Sequence, residues 1–85
     1  MDVNDDVRAI LRDVLSLGDR ASALRPTSPL LGAIPELDSM AVVGVLAALE
    51  DRFGFVVADD EISGGTFATY GSLVDFVREK VETAH

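Results

Sequence analysis

The 85-residue sequence predicts an all-α fold: a four-helix bundle of three longer helices and one short helix, with a long loop between the first two. Three observations predict it. Apolar residues recur at spacings of three and four in three separate stretches. The one β-like run, "FGFVV" at 53–57, stands alone, and a lone strand makes no sheet. All three prolines fall inside one connection, where they deny a helix.

Taken in order, Val3, Val7, Ile10, Leu11, Val14 and Leu15 place a first amphipathic helix over 3–17, with Gly18 as its stop. Residues 19–37 follow as a connection broken by Pro26, Pro29 and Pro35. It carries Leu24, Leu30, Leu31, Ile34 and Leu37, and a structureless loop of that length is uncommon in a compact domain, so it should pack into the core. A second helix spans 39–53, capped by Asp38 and stopped by Gly54. Its expected buried face is Met40, Val43, Leu46, Ala47, Leu49 and Phe53, which leaves Ala41, Val42, Gly44, Val45 and Ala48 outside. "VVADDEI" suits a turn or a single helical turn, and "SGG" at 63–65 a hinge. Thr69 then caps a last helix over 70–83, with Tyr70, Leu73, Val74, Val77 and Val81 inward.

Length fits one domain, residues 1–85, with a thin core. The chain has no cysteine, so it has no disulfide, no thiolate metal site and no sulfur nucleophile of its own. Its one histidine, His85, is terminal and poorly placed for catalysis. "MDVNDDVRAI" is acidic and lacks a signal core, and no run approaches the roughly 20 apolar residues of a membrane span. A cytoplasmic location is therefore expected. Net charge is −8, and residues 36–61 alone contribute −6. Such a field repels nucleic acid and anionic lipid and steers basic protein surfaces inward.

Between Asp38 and Glu50 lie eleven residues without charge, and the first of them is Ser39. A helix N-terminus offers unpaired N–H groups and about half a positive charge, so a phosphate ester on a serine there is well placed. Asp38 can cap and leave the Ser39 hydroxyl pointing outward. The pair alone also fits a plain helix start, since either residue as a cap is worth about 1 kcal/mol. A Ser39 nucleophile would need a base and an orienting group, and neither the terminal histidine nor Lys80 supplies them. Asp59, Asp60 and Glu61 are consecutive, without the spacing of a calcium loop, and read as a solvated acidic turn.

"ELDSMAVVGVLAALEDRFGF", with "FATYGSLVDFV" downstream, closely resembles the acyl carrier protein family, in which Asp-Ser-Leu or Asp-Ser-Met opens the second of four helices. The resemblance covers nearly the whole chain. It implies that Ser39 receives a 4′-phosphopantetheine arm from coenzyme A, made with magnesium by a phosphopantetheinyl transferase. The arm's thiol would hold an acyl or aminoacyl group as a thioester, and the protein would be a carrier and not an enzyme. Asp38 would set the helix start and the transferase contact, with Met40 and Val43 beside the arm. Glu50, Asp51, Asp59, Asp60 and Glu61 resemble the acidic surface that basic partners read.

Where many fatty-acid carriers place acids on the second helix, this chain has Ala41 and Gly44. The expected docking patch is therefore apolar: Ala41, Val42, Gly44, Val45 and Ala48. The wording "PELDSMAVVGVL" with "ALEDRFGF" is similar to standalone carriers of bacterial exosortase-type systems, beside an AMP-forming acyl ligase. Acyltransferase or synthase enzymes would take the cargo onward, and the carrier would act as a monomer. A peptidyl carrier of a nonribosomal pathway and a helical interaction domain with Ser39 as a mere cap are the alternatives.

Overall fold

The computed structural model describes residues 3–62 and 65–83, apart from the side chain of Asp59. His85 and two residues of the expected hinge, Ser63 and Gly64, lie outside that description. Among the described residues there are three α-helices, α1 (Val3–Leu15), α2 (Ser39–Phe53) and α3 (Tyr70–Thr83). Two 3₁₀ segments, Gly18–Ala23 and Asp59–Glu61, complete the helical structure. The second of these is the expected short helix, a single turn. The first was not expected.

α1 ends at Leu15, sooner than its apolar spacing implies. Ser16 turns left-handed at φ 54°, and the Leu17 N–H donates to the Arg12 carbonyl at 3.0 Å, the bond that closes a helix end. Leu17 thereby folds back into the core, while Val14, expected inside, is 37% exposed. Gly18 opens the 3₁₀ segment and is not the helix stop.

The long connection packs as its leucines imply: Leu30 and Leu37 are buried. Prolines leave residues 24–37 no helix, so the backbone groups that their own turns do not satisfy find partners elsewhere. They pair with the entrance to α3. Leu30 and Leu31 donate to the carbonyls of Ala68 and Phe67 at 3.0 and 2.9 Å. Tyr70 and Gly71 return bonds to Ser28 and Pro26 at 2.8 and 2.9 Å. At the same place Thr69 and Ser72 cap reciprocally, each side-chain oxygen accepting from the other's backbone N–H at 3.1 Å.

The core joins Val7 and Leu11 of α1 with Leu30, Leu37, Val45, Leu49, Phe55, Phe67, Tyr70, Leu73 and Val77. Both other helices pack against α1. The Tyr70 hydroxyl donates to the Asn4 carbonyl at 2.8 Å, and Arg8 lies over its ring. At the far end of α2, Arg52 reaches the nearly buried Asp6 at 2.8 Å.

The face of α2 differs from the expected one. Val45 and Leu49 are fully buried, whereas Met40 is 78% and Val43 62% exposed, and Ala47 is exposed too. Ala41, Val42, Gly44 and Ala48, expected outside, are half-buried. A side chain at Gly44 would meet Val14 of α1. The physical reason is that α2 is apolar all round at its N-terminal end, so its own pattern carries little phase, and packing against α1 decides.

Candidate functional site

Pro35 denies helix to the segment before α2, and Leu37, 4% exposed, anchors it in the core. Glu36 pairs with Arg20 of the first 3₁₀ segment. That guanidinium, hydrogen-bonded to the carboxylate, holds Glu36 below its ordinary range. The approach to α2 is thus fixed by one buried leucine and one ion pair.

Asp38 is the N-cap, in extended conformation at φ −101° and ψ −174°. Its Oδ1 accepts from the Ala41 N–H at 2.8 Å, and its carbonyl accepts from Val42. This is the role the sequence assigns it. Ser39 follows as the first residue of α2 and is exposed. Among the described residues its hydroxyl makes no hydrogen bond, and the backbone N–H groups of Ser39 and Met40 have no acceptor. An outward oxygen therefore stands beside two free donors at the positive end of a 15-residue helix. That arrangement suits an anionic ester on Ser39 and leaves the cap intact.

Ser39 also heads a stripe. Val43, Leu46, Ala47 and Glu50 follow it at i+4, i+7, i+8 and i+11, which puts all five on one side of α2. With Val57, Ala58 and Ile62 the last four line a cleft of about 200 Å³. The sequence reading had Met40 and Val43 beside the arm. It missed Leu46, Ala47, Val57, Ala58 and Ile62, although the spacing from Ser39 could have found the first two.

The apolar docking patch expected at Ala41, Val42, Gly44, Val45 and Ala48 is corrected by these faces. Val45 lies wholly in the core and Gly44 faces α1, so that set does not form one outer surface. The exposed apolar residues next to Ser39 are Met40, Val43 and Ala47.

The acids divide as well. Asp51 and Asp60 are exposed. Glu50 instead accepts from the Val57 N–H at 2.8 Å. Glu61 accepts from the Ala58 N–H at 3.0 Å and from Lys80 Nζ at 2.7 Å. The Lys80 hydrogen bond, and then that of Ala58, hold the Glu61 carboxyl below its ordinary range. Two of the acids expected to meet partners are therefore already committed to the fold.

Over residues 5–77 the chain matches the family described as "Phosphopantetheine attachment site". Among solved structures it is similar to the solution NMR structure of a holo acyl carrier protein from Nitrosomonas europaea. The two are 55% identical, each covers 100% of the other, and the TM-score is 0.86. A search of curated proteins found no match.

Proposed function

The chain belongs to the phosphopantetheine-attachment-site family of acyl carrier proteins, and from that premise we propose that Ser39 is the residue that carries the 4′-phosphopantetheine group. The observation that supports this most is the Ser39 hydroxyl itself, exposed and unpaired among the described residues at the first turn of α2. When bound, the group supplies the thiol that a chain without cysteine lacks, on which an acyl group is held as a thioester.

The chain's own residues divide the work. Asp38 holds the first turn shut through Ala41 and leaves the neighbouring hydroxyl free to react. The N–H groups of Ser39 and Met40, with the helix dipole, favour the negative charge of a phosphodiester at that point. Leu37 keeps the turn seated on the core. Met40, Val43 and Ala47 give partner enzymes an apolar footing beside Ser39, and Asp51 and Asp60 offer charge to basic surfaces around it. The partners are a phosphopantetheinyl transferase, an AMP-forming ligase that loads cargo, and an acyltransferase or synthase that takes it onward. Residues 1–85 act as one carrier domain.

Incubation with coenzyme A, magnesium and a promiscuous transferase, followed by intact-mass measurement, tests the assignment. One phosphopantetheine should add to the wild type and none to Ser39→Ala. Addition that persists in Ser39→Ala places the group elsewhere. No addition to a folded wild type would instead favour a plain interaction domain.

A further inference from the structure

The cleft beside α2 has two unlike walls. One is the helix itself, with Val43, Leu46, Ala47 and Glu50. The other is the stretch bearing Val57, Ala58 and Ile62, around the 3₁₀ turn. Among the described residues, that second wall makes no backbone-to-backbone hydrogen bond with the rest of the chain over 56–62. Its polar ties are side-chain ties. Glu50 of α2 accepts from the Val57 N–H at its near end. At its far end Glu61 grips the Ala58 N–H with one oxygen and Lys80 of α3 with the other. Lys80 Nζ also lies 5.9 Å from the centre of the Phe55 ring, just before the wall begins.

We propose that the Lys80–Glu61 contact is a latch on this wall and sets how long an acyl chain the cleft receives. The inference rests on Ser39 being the attachment site. The occupant follows from the stripe: an acyl group tethered at Ser39 starts on the same side of α2 as the cleft, and its apolar chain would cover Val43 and Ala47. With the latch closed, the cleft offers about 200 Å³, which suits a short chain. With the latch released, the wall keeps its Glu50 tie and the packing of Val57 and Ile62 against the core, and the turn between them is freer to move outward, which admits a longer chain. Size selection is then a property of residues 57–62 and Lys80, and not of the buried core.

The test loads wild type, Lys80→Gln and Glu61→Gln with straight-chain acyl groups from acetyl to dodecanoyl and reads the melting temperature of each. A sheltered chain stabilises the fold, since it binds the native state alone. In the wild type the melting temperature should climb with chain length and level off at a short acyl group. In Lys80→Gln the levelling-off should move to a longer one. Glu61→Gln keeps an oxygen for the Ala58 N–H and should shift the break the same way. A break at the same chain length in all three proteins overturns the latch. A wild-type melting temperature indifferent to chain length overturns the cleft as the cargo site. Failure of the group to add to Ser39, read by mass beforehand, overturns the attachment assignment beneath both.

Discussion

At the residue scale, the site depends on a division of labour between neighbours. Asp38 spends its side chain on Ala41, so the hydroxyl of Ser39 is not needed as a cap. Asp38→Ala should therefore cost about 1 kcal/mol, read as a lower urea midpoint, and Asp38→Asn much less. This boundary was legible because cap chemistry is local: an acid, a serine and the first apolar turn are adjacent in sequence. Lys80 was not legible, because its partner Glu61 is 19 positions away and nothing in either segment announces the other. The latch also has a pH signature. A carboxyl held below its ordinary value of 4.5 adds stability above that value, and the contribution is lost as pH falls through the lowered one. The melting-temperature advantage of wild type over Glu61→Gln should accordingly be full at neutral pH and disappear on acidification through that window.

At the element scale, two glycines make opposite predictions. A β-carbon at Gly71 would stand 2.6 Å from the Pro26 carbonyl oxygen and 3.1 Å from its Cα, and backbone atoms cannot give way cheaply. Gly71→Ala should destabilise by about 1–3 kcal/mol, measured by urea unfolding. At Gly44 the added carbon would meet only Val14 Cγ1, at an ordinary 3.5 Å. Gly44→Ala should then gain up to about 1 kcal/mol, because alanine is the better helix former. The sequence reading had given Gly44 a partner to approach, and the structure gives it α1. That difference shows what periodicity can and cannot carry. In α1 and α3 charged residues alternate with apolar ones, so the buried stripe could be read directly, apart from Val14. In α2 the eleven uncharged residues fix that a helix is there without fixing its rotation. The first 3₁₀ segment, "GDRASA", had no apolar pattern to reveal it.

At the scale of the whole molecule, charge and core pull against each other. Fifteen acids against seven basic residues leave a net −8 on a chain whose α-carbon radius of gyration is 11.7 Å, close to the roughly 12 Å expected of a compact chain this long. Self-repulsion at that density weakens the folded state. Added sodium chloride should raise the melting temperature at neutral pH, in spite of weakening the exposed Arg20–Glu36 pair. A melting temperature that falls with salt would mean that ion pairs, not repulsion, dominate. Among the described residues no helix is long and apolar enough to cross a membrane. The seam between the proline-rich connection and the start of α3 carries a kinetic consequence. Its hydrogen bonds join positions about forty residues apart, so folding must close a large loop before they can form, an entropic toll that local helix formation does not meet. Early on the folding route α2 can coil while the strand of chain leading to it still wanders. In hydrogen exchange the amides of Leu30, Leu31, Tyr70 and Gly71 should consequently gain protection together, and later than those in the middle of α2.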